Sequence, residues 1–146
     1  MFNTILVPTD GSPMSDNAIR SAVEFASINH GKIVAISVAE PIPYTAFAEG
    51  VSVMPDSADY EKHVRELAQL YVQKVVDVAT AGHVPCETHT ALSFSPSAEI
   101  LKAIDAFKCD VIFMATHGRK GWNKLFVGSQ TQRVLARSKI PVMVFR

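Results

Sequence analysis

Cysteine is nearly missing from this 146-residue sequence: there are two, Cys86 and Cys109, and neither belongs to a CxxC pair. That excludes a disulfide scaffold and the common zinc frameworks, and both read as ordinary strand residues in a reducing compartment. Seven glycines and eight prolines are too few for a collagen-like chain. No apolar stretch approaches the ~18 residues of a membrane span; Val111 to Ala115 is typical. The opening segment, Met1 to Pro8, has no basic region and breaks at a proline, so no signal peptide is read. The five histidines show no HExxH or related spacing, and no metal centre is expected. Neither GxxxxGK[ST] nor a GxGxxG after the first strand occurs, which excludes a Walker-type ATPase and a standard dinucleotide site.

What is present is a chain of 48% hydrophobic and 19% charged residues, enough to bury a core and too apolar for a disordered tail. At ~100–200 residues per domain, one domain over 1–146 is expected. Lys plus Arg balance Asp plus Glu at 14 each, which argues against a globally basic nucleic-acid binder. The balance hides an asymmetry. The last acidic residue is Asp110, and Arg119, Lys120, Lys124, Arg133, Arg137, Lys139 and Arg146 follow with no acid among them. Such a block marks either an anion site or a solvated basic helix face.

Strand and helix signals alternate. Ile5-Leu6-Val7 opens a strand, and Ser12-Pro13 supplies an N-cap and a first-turn proline for a helix with Ala18, Ile19, Ala22, Val23 and Ala26 inward. Asn29-His30-Gly31 stops it, and Ile33 to Val38 is a second strand. Residues 40–57 hold three prolines and a glycine with no clear period, a long loop of the functional kind. A long helix carries the stripe Tyr60, Val64, Leu67, Tyr71, Val75 and Val78, and Gly82 ends it. Cys86 to Ala91 is a polar strand at a sheet edge, Ser95-Pro96 caps a helix with Ile100, Leu101, Ile104 and Phe107 inward, and Val111 to Ala115 is a buried strand. A helix from about Ser129 to Ser138 and a last strand, Pro141 to Phe145, complete the chain. Five strands alternating with four helices predict a parallel α/β sheet covered on both faces.

Ligands of such sheets sit beyond the strand carboxyl ends, where strand order reverses. Two segments there carry chemistry. Pro8-Thr9-Asp10-Gly11-Ser12 presents a carboxylate and a tight-turn glycine, though Asp10 equally reads as a cap for the next helix. Thr116 to Gly128 holds three glycines and three bases and leads through Gly128-Ser129 into a helix, whose N-terminus is a ready anion site. His117 stands beside this loop, where it either meets a ligand or makes a turn hydrogen bond.

Ile5-Leu6-Val7-Pro8-Thr9-Asp10-Gly11-Ser12, the Thr116-His117-Gly118 to Gly128-Ser129 loop and the Pro141-Val142-Met143-Val144 ending together resemble the universal stress protein family, over residues 2–145. The resemblance implies a Rossmann-like, adenine nucleotide alpha-hydrolase-like fold: a five-stranded parallel sheet of order 3-2-1-4-5. ATP-binding members carry Gly-x2-Gly-x9-Gly-Ser/Thr. Here Gly118 and Gly128-Ser129 match, while Ala115 stands at the first glycine position. Alanine is tolerated there if the backbone only approaches the ligand closely; it costs ~1–2 kcal/mol if φ must be positive. By the same resemblance Pro8, Thr9 and Asp10 line the adenosine and the Val38 backbone meets the adenine. Gly118, Arg119, Gly128, Ser129 and Gln130 hold the phosphates of ATP, with Asp10 near a Mg2+. The apolar last strand, Val142 to Phe145, is expected at the sheet edge, pairing with its copy in a homodimer.

The function expected is therefore a cytoplasmic, dimeric, ATP-binding stress-response regulator rather than a dedicated enzyme, with no membrane or nucleic-acid partner. Two alternatives stand beside it: a slow ATPase or autophosphorylating protein using Ser129 or a neighbouring hydroxyl, and a protein-interaction module of the same fold without nucleotide.

Overall fold

The computed structural model describes residues 2–42, 56–117 and 127–146. Most of the 40–57 segment and residues 118–126 of the glycine loop lie outside them. Within them the order is β1 (Thr4–Pro8), α1 (Pro13–Asn29), β2 (Lys32–Ala39), α2 (Ser57–Ala81), β3 (Cys86–Leu92), α3 (Pro96–Phe107), β4 (Val111–Ala115), α4 (Ser129–Arg137) and β5 (Val142–Phe145). Every strand pair is parallel, and the sheet runs β3-β2-β1-β4-β5, as expected.

Alternation along the strands sorts the core into two layers. Ile5 and Val7 of β1, Ile33 and Ala35 of β2, and Val111 and Phe113 of β4 face α1 and α2. Leu6, Val34, Ile36, Ile112 and Met114 face α3 and α4. A one-residue register slip would turn each set to the wrong layer. Within α2 the most deeply buried line is Ala68, Val72, Val75 and Ala79, set slightly around the helix from the expected stripe, whose Tyr60, Val64, Leu67, Tyr71 and Val78 are half-buried. Small residues on that line let a 25-residue helix lie close to the sheet.

The helix ends depart from the sequence expectation in an informative way. At the helix C-termini the left-handed residues are His30, His83 and Lys108, and Gly31 and Gly82 beside the two histidines are not. Gly31 is needed for space: a Cβ there would stand 2.8 Å from the Asn3 carbonyl oxygen. Gly82 is crowded likewise by the Val23 side chain, at 2.5 Å. Ser12 and Ser95 occupy the expected N-cap positions, but neither makes a side-chain cap bond. Cys109 lies in the turn before β4 rather than in a strand; Cys86 opens β3. Burial pushes both thiols up, to about 11. Among the described residues no helix is long and apolar enough to cross a membrane.

Candidate functional site

The strand order reverses between β1 and β4, so their carboxyl ends are neighbours. The ladder joining them comprises Ile5–Val111 and Leu6–Ile112, shorter than the Thr4-to-Pro8 ladder joining β1 to β2. Pro8 brings no N–H with which to extend it. Because these strands are parallel neighbours, Thr9 and Asp10 just after β1, Val38 near the end of β2 and Ala115 at the end of β4 lie at the same, carboxyl edge. The expected site residues of three strands therefore gather at one edge of the sheet.

The turn after β1 is held by its own side chains. The Thr9 N–H donates to the Ile36 carbonyl at 2.9 Å, which anchors the turn to β2. The Gly11 N–H donates to Thr9 Oγ1 at 3.2 Å, and the Ser12 N–H donates to Asp10 Oδ1 at 3.0 Å. Each bond spans two residues, the way Thr and Asp side chains close turns. Asp10 thus closes the turn that leads into α1, through the N–H of the N-cap residue rather than an N–H of the helix. Ser15, which the sequence does not single out, ties the helix to the strand. Its Oγ donates to the Ser12 carbonyl at 2.7 Å and lies 3.2 Å from Thr9 Oγ1. Gly11 adopts φ +76° beneath the ring of Tyr71.

The other half is built from β4 and α4. Ala115 is the last strand residue and is not among the residues with positive φ, so alanine meets no backbone penalty there. Its carbonyl accepts from Thr131 Oγ1 at 3.0 Å. The Gly128 N–H donates to the Thr116 carbonyl at 2.7 Å, and a Cβ on Gly128 would sit 3.2 Å from that oxygen. These contacts press the start of α4 onto the end of β4. The first N–H groups of α4, beginning at exposed Ser129, have no acceptor within the helix and point outward. No acidic residue lies in that first turn to fill them.

Two further residues define the surroundings. His117 is 7% exposed; its Nδ1 is 3.0 Å from Thr116 Oγ1, the turn bond anticipated for it. Its Nε2 is buried with no hydrogen-bond partner among the described residues. Gln130 directs its side chain away from the helix end: its Oε1 accepts from the Ser97 N–H at 3.1 Å. Gly118 and Arg119 lie outside the described residues. Of the seven late bases, Arg133, Arg137, Lys139 and Arg146 are described, and all four are exposed. Among the described residues no group of three or more His, Cys, Asp or Glu comes together to hold a metal.

Chemically, this edge offers the N–H donors of a helix N-terminus and a backbone thinned at Gly11 and Gly128. Those features fit a phosphate-bearing ligand. Comparison with known proteins agrees on the architecture. The profile of the universal stress protein family matches residues 1–146. A universal stress protein of Thermus aquaticus is 30% identical, with all of each chain covered. The solved structure of MJ0577, from Methanocaldococcus jannaschii, superposes with a TM-score of 0.82 at 21% identity, covering 99% of this chain and 96% of that one. A universal stress protein of Archaeoglobus fulgidus, solved in complex with dAMP, superposes at 0.70 with 15% identity, covering 100% and 98%. The family profile, the full-length relative and the 3-2-1-4-5 sheet lead to one conclusion: this chain belongs to the universal stress protein family.

Proposed function

We propose that this chain binds an adenine nucleotide, ATP with Mg2+, at the β1–β4 edge and acts as a cytoplasmic, dimeric regulator in a stress response. The observation that carries the reading is the seating of α4: Gly128 is bonded to Thr116 at 2.7 Å, which sets the helix N-terminus at the carboxyl end of β4, the strand beside β1. Phosphates would lie on the N–H groups of Ser129 and Gln130, on Gly128, and on Gly118 and Arg119 of the loop. Pro8, Thr9, Asp10, Ala115 and the Val38 backbone would line the nucleoside. Asp10 is the carboxylate available to a phosphate-bound Mg2+. The dAMP complex of the Archaeoglobus fulgidus protein supports adenine as the base. Asp10 and His117 are the candidate general bases among the described residues of this edge, and each is engaged in a turn hydrogen bond, which favours binding over turnover.

The test is calorimetric titration of ligand-free protein with Mg-ATP, with Gly128→Asp as control. Saturable binding that the aspartate abolishes supports the site, since its side chain would crowd Thr116 and its charge would repel phosphate. No binding at millimolar ATP overturns it and leaves the protein-interaction reading.

A further inference from the structure

Helix α3 begins with an N-cap that does not cap. Ser95 stands in the N-cap position, where its hydroxyl should accept from the N–H of Ser97 or the residue after it, yet it makes no such bond. The acceptor comes instead from 33 residues away, as Gln130 Oε1 receives the Ser97 N–H at 3.1 Å. Ser97 is 1% exposed and its own hydroxyl has no partner among the described residues, so this amide has no ready access to water. Gln130 lies in the first turn of α4, one residue after Ser129.

We propose that Gln130 is a positioning residue of the nucleotide site: by capping α3 from α4, it holds the anion-binding end of α4 in place. This rests on the nucleotide reading above. The start of α4 is fastened at two points to the end of β4 and the residue after it, the Gly128 N–H on the Thr116 carbonyl and Thr131 Oγ1 on the Ala115 carbonyl. Both hold it to adjacent residues of one segment, and Val134, a turn further along, packs the body of the helix on Ile100, Ala103 and Ile104 of α3. The Gln130–Ser97 bond ties the first turn itself to α3 and so fixes the direction of its N–H groups. Outward N–H groups bind an anion well only if their direction is set before the anion arrives. The side chain of Gln130 is therefore committed to α3, and its contribution to a phosphate is its backbone N–H.

The experiment follows the Ser97 amide by NMR hydrogen exchange, with and without Mg-ATP, alongside calorimetry on wild type, Gln130→Met and Gln130→Glu. In the wild type, Mg-ATP should slow exchange at Ser97. Gln130→Met keeps length without an acceptor; it should speed that exchange and weaken Mg-ATP binding about fivefold, the net worth of one hydrogen bond. Gln130→Glu keeps an acceptor and places a negative charge at two helix N-termini. It should protect Ser97 and raise the melting temperature while weakening Mg-ATP, so that stability and affinity move in opposite directions. If Mg-ATP speeds exchange at Ser97, the side chain has left α3 to touch the ligand and the proposal is overturned. If Gln130→Met frees the Ser97 amide yet binds Mg-ATP like wild type, the positioning role is overturned while the nucleotide site stands. If the wild type binds no Mg-ATP, the nucleotide reading itself fails and takes this role with it.

Discussion

Gly11 lies against the ring of Tyr71 so closely that a Cβ on the glycine would stand 2.2 Å from the ring edge. The pair joins the turn after β1 to the middle of α2, and Gly11 also needs its φ of +76°. Two separate penalties thus fall on any side chain there. Gly11→Ala should cost about 2–4 kcal/mol, the sum of a left-handed backbone and an overpacked contact. In a Tyr71→Ala background the steric part vanishes and about 1–2 kcal/mol should remain. Urea unfolding of the four proteins of this cycle decides it; an equal cost in both backgrounds would show that the ring is not what the glycine accommodates.

Neighbouring residues at the end of α1 should respond with opposite signs. His30 is left-handed at φ 52°, a conformation that suits glycine. His30→Gly should raise stability by about 0.5–1 kcal/mol, and Lys108→Gly at the end of α3 should do the same. Gly31→Ala should lower it, because the added carbon meets the Asn3 carbonyl rather than a movable side chain. Thermal melts of the three variants test the assignment of φ to the histidine and of space to the glycine.

Burial holds the Cys86 and Cys109 thiols at about 11, against 9.0 when solvated. Desolvation is the main cause at both, reinforced at Cys109 by Asp110. The thiols should therefore react slowly with a thiolate-selective reagent at pH 7–8, where the thiol form dominates. The linkage has a definite sign. The unfolded chain loses these protons near pH 9 and the folded chain only near 11, so the folded state is favoured below pH 9 and loses that advantage as pH rises towards 11. Replacing both cysteines with alanine should flatten the decline of stability between pH 9 and 11. An unchanged slope would assign the decline to other groups.

Strand β5 ends the sheet with Val142 and Val144 half-buried and Met143 43% exposed. An apolar edge strand without charge is a template for pairing. Sedimentation should give a dimer for the wild type and a monomer for Val144→Lys, with little change in the melt of the monomer. A dimer that survives the lysine places the interface elsewhere.

Much of this architecture is legible along the chain, because its determinants are local. The β-branched apolar run from Ile33 to Val38 and helical spacing in Ala18 to Ala26 name the elements, and alternation of strand and helix predicts a parallel sheet. The edge position of β3 is legible too, in the polar Glu87, Thr88 and His89. The Thr9-Asp10-Gly11 turn and the Gly128 start of α4 are marked by residue types whose backbone uses are few.

The rest depends on groups far apart in sequence that only the folded chain brings together. No local pattern says that the ring of Tyr71 covers Gly11, that Gly31 is a glycine because of the Asn3 carbonyl, or that Ser15 ties α1 back to Thr9. Ser95 looks like a cap and is not one, while Gln130 looks like a phosphate contact and caps a different helix. The sequence by itself determined which segments are strands and helices and which turns join them, since periodicity and turn residues act over a few positions. Tertiary structure alone decided which donor meets which acceptor, since a side chain takes whichever partner packing places within about 3 Å, however distant along the chain.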